Sequence, residues 1–151
     1  MDIRQLRAGN LVTTNGKPAG TTKGCFYKVL DTNSANRLDE LGLVGSATLQ
    51  IFDGDYTTCV GAWVDYIEPI KINFLLLEKI GFRSIGCLKD ELKISTYNFS
   101  IIKNGNKYIL YIYQYGIIQG SSYINKGLNQ LQNIIYDITG LELNVDNLIT
   151  K

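Results

Sequence analysis

None of the 151 residues is histidine, so the side chain that most often serves as a general base or metal ligand near neutral pH is missing. What remains for chemistry is a glycine-rich stretch, a few carboxylates, three cysteines and ten tyrosines. Gly16-Lys17-Pro18-Ala19-Gly20-Thr21-Thr22-Lys23-Gly24 has the composition of a phosphate loop. It lacks the G-x-x-x-x-G-K-[ST] order, however, and no helix follows to offer its N-terminus, so it reads as a solvated loop. Asp53 and Asp55 flank Gly54, which is ordinary turn chemistry, and the further oxygen ligands of a calcium loop are missing. The pairs Asp39-Glu40 and Asp90-Glu91 sit in polar stretches with nothing to separate their protonation, so acid and base roles have no support. Cys25, Cys59 and Cys87 are widely spaced and form no C-x-x-C pair, which reads as buried free thiols rather than a zinc site or a disulfide framework. Asn98-Phe99-Ser100 matches the glycosylation pattern by a coincidence common in any chain. No catalytic, cofactor-binding or metal-ligating residue is expected, and no cofactor.

The tyrosines are the informative group. Seven of the ten fall between Tyr97 and Tyr136. Tyr111, Tyr113 and Tyr115 alternate, so in a strand all three emerge on one face. Either a second layer covers that face and the rings are amphipathic core, or they form an exposed platform. Tyrosine suits the second role because it offers a large contact area with few rotamers to freeze. These three are the candidate interface residues.

The elements that position them follow from hydrophobic pattern and turn chemistry. Apolar residues make up 45% and charged residues 19%, a globular composition. Fifteen basic residues against fourteen acidic leave a net charge of +1, which offers little attraction for phosphate backbones or anionic lipid, so nucleic acid is not favoured. The N-terminus lacks the pattern of a secretion signal and no apolar run approaches the length of a membrane span. A reducing cytoplasm fits the cysteines best.

A first strand is expected near Leu11, a polar loop over residues 13–23, apolar strand pattern from Phe26 to Leu30, and a loop from Thr32 to Gly45. Strands over Ala47–Phe52 and Thr57–Val64, joined at Asp53-Gly54-Asp55, and a closing turn at Asp65-Tyr66-Ile67-Glu68-Pro69 then complete a small barrel of the Src-homology-3-like type. Asn73 can cap a short helix stopped by Gly81, with Leu76, Leu77, Ile80 and Phe82 expected to clamp the two halves. Strand-like runs Lys93–Lys103 and Asn106–Tyr115 meet at Asn104-Gly105. A two-residue turn there sets Ile101 opposite Tyr108, Phe99 opposite Leu110 and Tyr97 opposite Ile112 on the core side. Ile124, Leu128, Leu131, Ile134, Ile135 and Ile138 recur at helical spacing over about four turns. Leu141–Val145 alternates like a further strand. The expected fold class is α+β: a barrel-like unit over residues 1–72, then a hairpin packed with one long amphipathic helix over 73–151, with no flexible linker between them.

Three segments together carry a resemblance. They are Leu6-Arg7-Ala8-Gly9-Asn10-Leu11-Val12; Ile67-Glu68-Pro69-Ile70 followed by Leu76-Leu77-Glu78-Lys79-Ile80-Gly81-Phe82; and Asn129-Gln130-Leu131-Gln132-Asn133-Ile134-Ile135-Tyr136-Asp137-Ile138-Thr139-Gly140-Leu141-Glu142-Leu143. In this order they resemble a family of small uncharacterised proteins encoded by tailed phages and prophages of gut anaerobes, and the likeness spans nearly the whole chain. The last segment of that family usually begins His-Gln-Leu-Gln-Asn, and Asn129 stands where its histidine would be. The region 13–61 is longer and more irregular than the family pattern. The resemblance implies a phage setting, in the virion or in the host cytoplasm, and transfers no functional residue.

The expected function is therefore a non-enzymatic phage accessory protein that contacts other proteins, with the capsid of the virion or a host protein as partner. The alternative is a cytoplasmic binder of nucleic acid or a host factor.

Overall fold

The computed structural model describes residues 1–39, 42–52, 59–86 and 89–148. The chain separates into two units, Met1–Lys71 and Ile72–Leu148, each built on a five-stranded antiparallel sheet, and its few helices are short.

In the first unit, the Leu6–Asn10 segment hands the chain into β1 (Leu11–Thr14). Asn10, fully buried, accepts the Arg7 N–H on its Oδ1 at 2.9 Å and closes a local turn. Main-chain bonds from Gly9 N to Val29 O and from Val29 N to Asn10 O, both 2.8 Å, then fix this turn to β2 (Tyr27–Asp39). β3 (Gly42–Ile51), β4 (Cys59–Trp63) and the two-residue β5 (Ile67–Glu68) complete the sheet in the order β4-β3-β2-β1-β5. A 3-10 turn over Val64–Tyr66 precedes β5. β1 pairs with β2 through Leu11 and Val12 and with β5 through Thr13 and Thr14, so the sheet curls into a half-barrel. Val12, Tyr27, Val29, Ala47, Leu49, Ala62, Val64 and Ile67 fill its concave side.

Two sequence expectations change here. Thr32–Gly45 is strand along its described length, where Asn33 pairs with Ser46, Arg37 with Val44 and Asp39 with Gly42. Ladder bonds come from the backbone whatever the side chain, so a polar arm can pair without the alternation that would announce it. Ile67-Glu68 is a strand rather than a turn, because β1 offers it a free edge. The Asp53-Gly54-Asp55 turn lies outside the described residues.

The second unit opens with α1 (Phe74–Lys79), capped by Asn73, whose Oδ1 accepts the Leu76 N–H at 2.9 Å. Gly81 (φ 105°) ends it, as a left-handed exit requires. Leu76, Leu77, Ile80 and Phe82 are all buried. β6 (Arg83–Gly86), β7 (Lys89–Ile94), β8 (Tyr97–Asn104), β9 (Lys107–Gln114) and β10 (Ile117–Ile124) follow as a meander in the order β10-β9-β8-β7-β6. α2 (Leu128–Thr139) closes the unit, ending at Gly140 in the left-handed region, φ 70°.

Partners in the ladder are Phe99 with Ile112 and Ile101 with Leu110. All four are buried on the face that also carries Leu92 and Ile124. α1 lies on this side: the Phe74 ring meets Tyr108 edge-on at 6.3 Å between centroids, and a side chain at Gly81 would touch Leu92. Leu128, Leu131 and Ile135 of α2 are fully buried.

The hairpin register differs from the expected one by a slide of the turn. Asn104 pairs with Lys107 and Lys103 with Tyr108, leaving Gly105-Asn106 as the two central residues. Gly105 has φ 62°, and the first central position is where a II′ turn needs glycine. The slide preserves which residues face the core, so the pattern of burial is unaffected.

The expected hairpin and four-turn helix become a five-stranded sheet and a shorter helix. The run Lys93–Lys103 breaks at Ser95-Thr96, giving two strands, and Ile124 ends β10 instead of starting the helix. Gly120, Ser121 and Ser122 interrupt the apolar pattern of β10 and hid it. Leu141–Val145 pairs with no strand: Leu143 alone is buried, and Thr139 Oγ1 accepts the Leu141 N–H at 3.0 Å.

Truncating Leu110→Ala should remove about 2–5 kcal/mol from the stability of this unit. A lower urea midpoint by circular dichroism, with an unchanged slope, is the expected reading.

Candidate interaction surface

On the face of the second sheet opposite the buried layer, the ladder places Ser100 beside Tyr111, Asn98 beside Tyr113 and Ile102 beside Ile109. From the other side, β10 brings Ser121 to Tyr111, Ile118 to Tyr113 and Tyr123 to Ile109. The result is an apolar and tyrosine-rich surface. Ile102, Ile109, Tyr111 and Tyr113 are half-buried among their neighbours. Ile118 and Tyr123 are 54% and 60% exposed. Lys107 holds its Nζ 5.8 Å from the centre of the Tyr123 ring, a cation–π contact that leaves the outer side of the ring open.

Of the three candidate interface residues, Tyr111 and Tyr113 occupy this face as the alternation requires. Tyr115 does not. It leaves the ladder and occupies the two-residue turn between β9 and β10, 79% exposed. Tyr115 and Gly116 have φ 52° and 77°, the pair of left-handed conformations that defines a I′ turn and favours Asn-Gly. A bulky side chain at positive φ is uncommon and strained, by about 1–2 kcal/mol. The exposed ring has little packing to offset that.

Sequence reasoning missed Ile117, Ile118 and Tyr123 because it missed β10. The available signal was Tyr115-Gly116 set between two runs rich in β-branched and aromatic residues, at hairpin spacing.

A second concave feature lies on the helix side. A groove of about 710 Å³ is lined by Phe74, Glu78, Gly81, Phe82, Arg83, Ser84, Asp90 and Asn147. It gathers charges of both signs beside the half-exposed Phe74 ring, over which Lys103 sets its Nζ at 5.5 Å from the centre. Burial raises the Tyr108 phenol above its ordinary value of 10.0, and the nearby Asp90 carboxylate raises it further. Asp90 thus stands in a strand on the helix side, and Glu91 on the opposite face, rather than in a solvated loop.

The remaining sequence candidates are scattered. The Gly16–Gly24 run is an ordered excursion between β1 and β2, held by Thr14 Oγ1 to Thr21 Oγ1 at 3.0 Å and Thr21 Oγ1 to Pro18 O at 2.7 Å. A strand follows it, so no helix N-terminus is presented. Cys25 is half-buried and Cys59 exposed, both free, so burial does not describe Cys59; Cys87 lies outside the described residues, as do Asp53 and Asp55. Asn129 lies on the buried side of α2, 1% exposed. Among the described residues, no three acidic or cysteine side chains gather as metal ligands, and no helix is long and apolar enough to cross a membrane.

No protein-family model matches this chain, and no match is found among curated proteins or solved structures.

Two outcomes follow from this geometry. Tyr115→Asn should raise stability by about 1 kcal/mol, because asparagine tolerates the left-handed turn, readable as a higher urea midpoint. The raised Tyr108 phenol stabilises the fold fully below the unfolded tyrosine value near 10.0. That contribution is lost as pH rises through the folded value, where the unfolded state ionises first. Urea midpoints should therefore fall above about pH 10, and Tyr108→Phe should flatten that fall.

Proposed function

We propose that this chain is a non-enzymatic accessory protein of a tailed phage or prophage that docks on other proteins, as a minor, capsid-associated component of the virion. The docking surface is the tyrosine-rich face of the second sheet together with the Tyr115 turn. One observation carries the reading. An exposed tyrosine held at positive φ costs stability and finds little packing among the described residues, so its compensation is sought in a bound partner. The half-exposed Ile118 beside Tyr113 and Tyr123 beside Ile109 extend the same surface, and aromatic anchors flanked by smaller polar residues are what protein interfaces favour.

The first unit is read as a Src-homology-3-like barrel. Its strand order β4-β3-β2-β1-β5, the long loop between β1 and β2, and the 3-10 turn before a short last strand support that assignment. Such a scaffold displays loops from a closed core, and the tied-down Gly16–Gly24 excursion is the largest described loop of this kind here.

Mass spectrometry of purified particles is the direct test, and the chain should be found in them at low copy number. Absence from particles, together with failure to co-purify any phage or host protein, would overturn the proposal. In a gel shift at low salt, the net charge of +1 predicts no retardation of DNA or RNA. A salt-sensitive shift would instead favour a nucleic-acid binder acting in the host cytoplasm.

A further inference from the structure

We propose that β10 is a self-pairing edge: two copies of the chain join antiparallel along it, about a two-fold axis through Ser121, and fuse their second sheets into one. Among the described residues, β10 has β9 on one side and no strand on the other. From Ile117 to Ile124 it carries neither a charged residue nor proline, two of the devices that keep an edge from pairing; a third, a bulge, is present and sets the register argued below. The opposite edge is different, since β6 is only four residues long and starts with the exposed Arg83.

The pairing partner is identified by register. β10 contains a bulge: Ile118 pairs with Tyr113 and Gly120 with Ile112, so Gln119 is the extra residue. The bulge inverts the side-chain alternation. It sets Ile118 on the same open face as Ser121 and Tyr123, and leaves Ile117 on the buried side with Gly120, Ser122 and Ile124. Counted across the bulge, the strand is a palindrome of size and face. About an axis at Ser121, Ser121 meets its own copy and Gly120 meets Ser122. Ile118 then meets Tyr123 on the open face, and Ile117 meets Ile124 on the other. Every pair shares a face, as antiparallel partners must, and each end couples two large apolar side chains around a small-residue centre. A foreign strand would place no such symmetry requirement on β10; a second copy does.

Gln119 Nε2 donates to Ile117 O at 3.2 Å, and Gln130 Nε2 from α2 donates to Tyr123 O at 3.0 Å. Side chains thus already occupy carbonyls at both ends, so main-chain bonds between the copies concentrate on the Gly120–Ser122 centre while the ends meet through their side chains. A net charge of +1 per copy opposes association very little. The contact is small beside the roughly 1,600 Å² of a standard interface, so a weak dimer is expected, with half-association between about 10 µM and 1 mM. This inference goes beyond the docking reading, and its test uses the isolated chain, so either can fail without the other.

Sedimentation of the intact chain over that range should show a monomer–dimer equilibrium. Ser121 is exposed, so Ser121→Lys and Ser121→Glu should each fold, as circular dichroism would verify. Each alone sets like charges opposite one another and should weaken association by about tenfold or more. Mixing the two variants should restore the dimer. A wild-type chain that stays monomeric at about 1 mM would overturn the proposal. So would a Ser121→Lys variant that associates like the wild type, or a mixture that stays monomeric.

Discussion

One-sided burial of an antiparallel meander governs the second unit. Phe99, Ile101, Leu110 and Ile112 are buried on a single face, and the period of two along each strand sends their neighbours to the other side. Once that layer is sealed, Tyr111, Tyr113, Ile118 and Tyr123 have nowhere to go except the opposite surface. α1 lies on that layer and buries Leu76 and Leu77, and α2 buries Leu128, Leu131 and Ile135. Gln130 joins the ends of sheet and helix: its side chain accepts from Asn125 N and Lys126 N and donates to Tyr123 O. The sharp passage from β10 into α2 is thereby fixed although Gly127 offers no side-chain cap.

The first unit solves the same problem by curling. β1 is only four residues long, yet it bonds to β2 with its first half and to β5 with its second. Its side chains Leu11 and Val12 are both fully buried, and the sheet needs no helix to close over its core. Polar groups drawn inside by the curl are satisfied locally. Thr14, fully buried, bonds to Thr21, and the Tyr27 hydroxyl accepts from Thr22 N at 2.8 Å. A loop with three glycines at positive φ is held by those bonds together with the buried Pro18 and the close approach of Gly20 to Val60.

Among the described residues, Ser95 and Tyr115 are the non-glycine residues at positive φ, and of the two Tyr115 adds a large exposed ring. Along β8–β9 the turn uses a glycine, and along β9–β10 it uses Tyr115 at the position glycine or asparagine would fill. The two turns have the same length and connect strands of the same sheet, so the difference is not imposed by the fold. It adds a large ring to the corner where the open face meets the free edge of β10. Stability and surface function pull apart there, as they commonly do where a binding residue occupies a backbone conformation suited to another side chain.

How much was legible can be argued from particular residues. The composition, the Asn73 cap, the Gly81 and Gly140 exits, the core-facing set Phe99, Ile101, Tyr108, Leu110 and Ile112, and the outward Tyr111 and Tyr113 are local properties of the chain. They depend on side-chain type and on a period of two or 3.6, so the sequence alone was enough to find them. Three further features required tertiary structure: the long pairing of β2 with β3, the existence of β10, and the placing of Tyr115 in a turn instead of a strand. Each is set by backbone hydrogen bonds to a neighbouring strand, which side-chain pattern marks weakly: for β10 and its turn the one local signal was Tyr115-Gly116 at hairpin spacing. Gly120-Ser121-Ser122 reads as a break in one dimension and becomes a strand only when β9 lies beside it.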